Sequence, residues 1–113
     1  MTETRVDAGV RCVLAGLPCA VVEPSGRPCT ATVVLLHGLG GEAGFLLPHY
    51  RELVSSGVRL VAPDAPWHGR RFREETKRRM ASGITDFFYE TILEQVGEVG
   101  ALLGRGLELC VGV

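Results

Sequence analysis

The 113-residue sequence has no excess of charge of either sign: 12 lysines and arginines stand against 13 aspartates and glutamates, a formal net charge of -1 at pH 7. Nucleic-acid and membrane-surface partners usually demand a strong basic excess, so neither is expected. No apolar run is long enough to span a bilayer. Met1-Thr2-Glu3-Thr4-Arg5-Val6-Asp7 has two acids and no apolar stretch beside a basic head, which argues against a secretory signal and for a cytoplasmic protein. No C-x-x-C pair occurs among Cys12, Cys19, Cys29 and Cys110, and three of them fall in strand-like segments, as reduced buried thiols would. A disulfide framework is not expected; pairing of Cys12 or Cys19 with Cys29 would need an oxidising compartment. Repeats and low-complexity segments are also missing. A chain of this length buries roughly two-thirds of its extended surface on folding, enough for one small core, so two full domains are excluded.

What is present reads as alternating strands and helices. Val6 to Val22 holds β-branched residues on both sides of Ala15-Gly16-Leu17-Pro18, the pattern of an N-terminal hairpin, and Pro24-Ser25-Gly26-Arg27-Pro28 is a loop. Thr30-Ala31-Thr32-Val33-Val34-Leu35-Leu36 is apolar and β-branched without alternation, as in a strand covered on both faces of a parallel sheet. Val58 to Pro63 is a second such strand and Leu107 to Val113 a third. Between the first two, Leu46, Tyr50, Leu53 and Val54 at helical spacing, with Pro48 near the start and Gly57 at the end, predict a helix over about 48–56. Ile84, Phe88, Ile92, Val96, Val99 and Leu103 mark one face of a longer helix over about 85–103, which Gly97 and Gly100 weaken or open to close packing. The class is α/β: residues 6–30 form a hairpin and loop, and 31–113 a βαβαβ core. Arg70 to Met80 carries six basic and two acidic residues, read as a solvated loop or short helix, with an anion-binding patch as the other reading.

Two stretches are candidates for chemistry. His37-Gly38-Leu39-Gly40-Gly41 follows the first buried strand at its carboxyl end, where open α/β sheets place ligands. Glycines let backbone N–H groups approach a ligand, and fixed N–H donors stabilise the negative oxygen of a tetrahedral intermediate. The amide of Leu39, with Gly40 beside it, is the candidate oxyanion donor; a plain strand-to-helix turn would need the same glycines, and the motif alone favours neither. Pro63-Asp64-Ala65-Pro66-Trp67-His68-Gly69-Arg70-Arg71-Phe72 ends the next strand. Trp67 and Phe72 either line an acyl pocket or cover the end of the core. His37, His49 and His68, with Asp64, raise a metal site, but loop histidines more often bond backbone, and no metal is expected.

Together, the His37–Gly41 and Pro63–Phe72 motifs, about 25 residues apart, resemble the α/β-hydrolase superfamily, in particular small bacterial carboxylesterases of the dienelactone-hydrolase-like and prolyl-oligopeptidase-like branch, over about residues 31–113. The resemblance implies an eight-stranded, mostly parallel sheet and a Ser-Asp-His triad, with the serine on a G-x-S-x-G elbow after the fifth strand. It also implies that the residue after His-Gly, here Leu39, supplies one oxyanion N–H, and that His37, Gly38, Trp67, His68 and Phe72 stand near the substrate, His68 not being the catalytic base. The sequence departs from that pattern in one respect: none of Ser25, Ser55, Ser56 and Ser82 has glycine two residues away on both sides. The elbow is absent, and the family's acid and histidine come later still, so the chain resembles an amino-terminal half whose parent is a serine carboxylesterase acting on small carboxylic esters, without a cofactor. Some dienelactone hydrolases use cysteine at the elbow, but Glu108 stands where Cys110 would need its first glycine, and Cys110 is read as structural. In the family order the fifth strand lies between the third and sixth, so Leu107 to Val113 would be an open apolar edge, and the chain alone is expected to self-associate through it or to fold poorly. Two other classes compete. Gly38-x-Gly40-x-x-Ala43, with Asp64 ending the next strand, fits a Rossmann-like dinucleotide fingerprint, although Pro48 delays the helix that should follow; the other is a non-catalytic α/β interaction module.

Overall fold

Ala15 and Gly16, at φ 51° and 79°, form the two-residue left-handed turn whose twist suits a hairpin, and they fold Val10–Leu14 (β1) back on Leu17–Val22 (β2) with Leu14 opposite Leu17. The computed structural model describes residues 9–38 and 41–106. The expected third strand Leu107 to Val113, with Cys110, and the start of the hairpin at Val6 lie outside the described residues. After the Pro24–Pro28 loop come Ala31–Val34 (β3), Arg51–Ser55 (α1), Val58–Pro63 (β4), Glu74–Ser82 (α2) and Ile84–Ala101 (α3). The chain is mixed α/β. Among the described residues no helix is long and apolar enough to cross a membrane.

The strands form one sheet in the order β1-β2-β4-β3, with β2 antiparallel to β1 and β4, and β3 parallel to β4. The two central strands are the apolar ones, and the period-2 alternation of a strand divides their side chains between two cores. Ala20, Val22, Leu60 and Ala62 pack on one face with Leu35, Ala43, Leu47 and Val54, under α1 and the turns before it. Cys19, Val21 and Val61 pack on the other with Leu17 and Leu102, the residue that follows α3. β3 departs from the expectation of a strand covered on both faces. It is the edge of the described sheet, Ala31 is exposed and Thr32 to Val34 are half-buried, because β4 and not β3 took the central place.

Two helices match their predicted spans, with local differences. The first opens as a tighter turn, Leu47–Tyr50, in which His49 N–H donates to Leu46 O three residues back, before α1 proper. α3 has the predicted apolar stripe but is turned away from it. Phe87, Thr91 and Leu102 face inward, whereas Ile84, Phe88, Ile92, Val96 and Leu103 are exposed. Its inner side is fixed in part by a polar contact: Arg71 makes a two-pronged ion pair with Glu98, 2.6 Å on each arm, which holds the guanidinium pKa above its ordinary value. Arg71, read from the sequence as solvated or as part of an anion patch, is therefore turned into the protein, whereas the Arg70 side chain stays 40% exposed while bonding main chain. Arg70 Nη2 donates to the carbonyls of Cys12 and Cys19 at 3.1 and 3.0 Å, and Arg71 Nη1 donates to Asp64 O at 3.2 Å. Cys12 and Cys19 face each other across the hairpin, and neither they nor Cys29 are in a disulfide.

Candidate functional site

Parallel strands carry their carboxyl ends to the same side of a sheet, so β3 and β4 deliver His37-Gly38 and Asp64 to Gly69 as neighbouring loops. The ladder runs one residue past β3, where Leu35 N–H donates to Val61 O at 2.8 Å. Beyond it the two loops are joined by side chains that reach across in opposite directions. His37, 8% exposed, accepts the Ala65 N–H on Nε2 at 3.0 Å. That nitrogen therefore holds a lone pair, the proton sits on Nδ1, and Nδ1–H donates to Gly38 O at 2.8 Å. Burial pushes the His37 pKa below its ordinary 6.5; the Gly38 carbonyl opposes this and His68 reinforces it. His37 is a neutral crosspiece with both ring nitrogens bonded to main chain.

Asp64 is the reciprocal member. Its side chain is fully buried, with Oδ1 accepting the Ala43 N–H at 2.8 Å and Oδ2 the Arg70 N–H at 3.2 Å, and Arg70 Nε 3.7 Å away. The turn at Gly69 closes over this carboxylate at φ 53°, and a Cβ there would stand 2.3 Å from Oδ1. Glycine is required at that position both by the left-handed backbone and by the absence of room.

Each loop thus lends a side-chain acceptor to a backbone amide of the other. Gly38 and Gly41 are further joined by a 2.9 Å bond from Gly41 N–H to Gly38 O. Leu39 and Gly40, the amides offered as oxyanion donors, lie outside the described residues; their neighbours Gly38, Gly41 and Ala43 are each held by a hydrogen bond. Next to Gly38 is a cavity of about 220 Å³, with His37, Gly38 and His68 on the sheet side and Phe88, Ile92 and Gln95 of α3 on the other. His68 is buried, its Nδ1–H donates to Pro66 O at 2.9 Å, and its ring lies 5.3 Å from that of His37.

Of the residues singled out from the sequence, His37, Gly38 and His68 meet at this cavity, and Trp67 and Phe72 do not. Trp67, at φ 69°, stacks under the Arg79 guanidinium at 4.7 Å and borders a separate cavity of about 380 Å³ with Pro18, Arg70 and Arg71. Phe72 is 48% exposed and lines neither. The aromatic wall is supplied by Phe88, which the helical periodicity marks without revealing what it faces. Gln95 has no sequence signal beyond its place three residues after Ile92. His49 is exposed on the turn before α1, and among the described residues no group of three metal-ligating side chains comes together. The dinucleotide reading fits poorly: Asp64 is enclosed by main-chain amides where that reading needs it to reach a ribose, and the residues after the glycines form a three-residue tight turn, Ala43–Phe45, in place of a helix that could receive a pyrophosphate. No protein-family model, curated protein or solved structure matches the chain.

Proposed function

We propose that the chain is the amino-terminal part of an α/β-hydrolase-type serine carboxylesterase, and that its task is to carry the oxyanion-binding loop of a site for small carboxylic esters. The observation that carries the reading is the reciprocal bracing of the two loops at the carboxyl ends of β3 and β4, which holds the ends of a glycine-rich interval beside a cavity. Donors that stabilise a developing alkoxide act best when they need not reorganise, and a braced loop meets that condition. The strand order supports the same reading: β2 alone runs against the other three strands, as in a mostly parallel sheet entered through a hairpin.

The roles divide accordingly. Leu39 N–H, with Gly40 beside it, holds the carbonyl oxygen as it becomes negative. His37 is not the base, because its Nε2 lone pair is engaged by Ala65 N–H and its Nδ1 proton by Gly38 O. The serine that attacks, the histidine that moves its proton and the acid that orients that histidine belong to sequence beyond Val113.

Fluorophosphonate labelling and p-nitrophenyl acetate hydrolysis test this. The 113-residue chain should do neither above a denatured control, while the product of the reading frame continued past Val113 should do both. A longer product inert in both assays would favour a non-catalytic module. Saturable turnover by the 113 residues alone would overturn the assignment of the nucleophile to later sequence.

A further inference from the structure

The hairpin sets two thiols opposite each other. Leu14 and Leu17 flank its two-residue turn, and residues so placed exchange both amide hydrogen bonds. Bonded and open pairs alternate along an antiparallel ladder, so Val13–Pro18, where proline has no N–H to give, is the open pair and Cys12–Cys19 is bonded again. Directly opposed residues project from the same face, and Cys12, half-buried, packs with fully buried Cys19 against one core. A bonded pair sets its Cα atoms about 5.5 Å apart, a common spacing in disulfides. Its Cβ atoms, about 4.5–5.5 Å apart, would have to close by about 1–2 Å to reach the bridged distance. β1 is an edge of the described sheet and can make that shift without breaking a second ladder. The Arg70 guanidinium, bonded to the carbonyls of both cysteines, draws the Cys19 pKa down, but burial outweighs it and holds that thiol at about 11. Cys12 is therefore the thiol that reacts first.

We propose that Cys12 and Cys19 are a redox site, oxidised to a cross-strand disulfide by a small-molecule disulfide of the glutathione type and reduced again by the corresponding thiol. The Cys12 thiolate attacks one sulfur of the oxidant, whose S–S bond breaks and releases one glutathione thiolate. Cys19 then gives up its proton, attacks Cys12 Sγ and expels the second. The two cysteines lose two electrons and two protons, and the oxidant takes them up as two thiols. A bridge that needs the strands pulled together is more easily reduced, and transient disulfides of that kind are the ones that sense redox state in a reducing compartment. The inference stands apart from the esterase reading and does not rest on it.

The experiment equilibrates the 113-residue chain carrying Cys29→Ser and Cys110→Ser with oxidised glutathione, then with an excess of the reduced form, and reads intact mass, maleimide labelling and the NMR amide spectrum. Expected are a loss of two hydrogen atoms, protection of both thiols from maleimide, a dispersed spectrum before and after, and full return on reduction. Adding Cys19→Ser should trap a glutathionyl group on Cys12. Adding Cys12→Ser should leave Cys19 taking up glutathione at least ~10-fold more slowly. Peptide mapping of the unsubstituted chain locates the same bridge if the serines disturb the fold. Three results overturn the proposal: two maleimide-reactive thiols after excess oxidant, glutathione held on both cysteines in place of a bridge, or a bridge that forms only as amide dispersion is lost, since the native register would then not admit it. A chain without dispersed amides before oxidation overturns it too, and faster uptake by Cys19 than by Cys12 overturns the order of attack.

Discussion

Replacing Asp64 by asparagine changes one oxygen for an NH₂ group and tests the carboxylate's structural role with almost no change of shape. The amide oxygen can still accept from Ala43 N–H, but the NH₂ group then faces Arg70 N–H, a donor against a donor. A hydrogen bond to a charged acceptor is worth about 1.5–3 kcal/mol, and a buried donor left without an acceptor costs about 1–3 kcal/mol more. The Arg70 ion pair adds little, because at 3.7 Å the Arg70 side chain is 40% exposed and solvent screens it. Asp64→Asn should therefore lower stability by about 3–5 kcal/mol, a large share of the roughly 5–15 kcal/mol that holds a domain together. Urea unfolding followed by circular dichroism and by Trp67 fluorescence measures it, with Asp64→Ala, which leaves both amides without an acceptor, at least as severe. A loss below about 1 kcal/mol for Asp64→Asn would mean that the carboxylate does not tie the loops, and the argument for a braced interval would fail.

Other outcomes follow from the same geometry. Because burial lowers the His37 pKa below its ordinary 6.5, the unfolded chain binds the proton more readily; stability should be complete above about pH 6.5 and fall as the pH drops below it, by at most about 1.4 kcal/mol per pH unit, and this component should vanish in denaturation curves of His37→Gln. Ala15→Asn should raise stability by about 0.5–1 kcal/mol in thermal melts, since asparagine tolerates the left-handed backbone that alanine there resists. Gly69→Ala should cost about 2–4 kcal/mol in urea, combining positive φ with overpacking against the Asp64 carboxylate. Burial holds the Cys19 thiol up at about 11, leaving about a hundredfold less thiolate than a thiol at the usual 9.0, so Ellman's reagent at pH 8 should reach exposed Cys29 well before Cys19.

Local chemistry made much of this fold legible. Ala15-Gly16 between β-branched segments marks the hairpin, the run Val58–Pro63 is the strand as built, and the spans of α1 and α3 follow from periodicity and glycine punctuation. What depends on which elements become neighbours was not legible. A continuous apolar run reports that a strand suits burial; it does not report that β4 occupies the centre and β3 the edge. The stripe on α3 is periodic, yet its inner side was chosen by Phe87, Thr91 and a salt bridge from Glu98 to Arg71 across 27 residues of sequence. Charge counting around Arg70 gives a local sum and no partners, so the partly buried Arg71, paired with Glu98, reads the same as a solvated cation. At the site, His37 and Asp64 drew notice for the chemistry of their side chains. Their acceptors and donors are amides on the opposite loop, a pairing that exists only once two strands lie side by side.

That crossed pairing makes the two loops one kinetic unit. An opening that frees the amide of Ala43 from Asp64 also loosens the segment that presents Ala65 to His37, so neither strand tip can fray alone. In deuterated water the two protons, far apart along the chain, should be replaced in lockstep, at a rate governed by a shared opening and not by the local exposure of either residue.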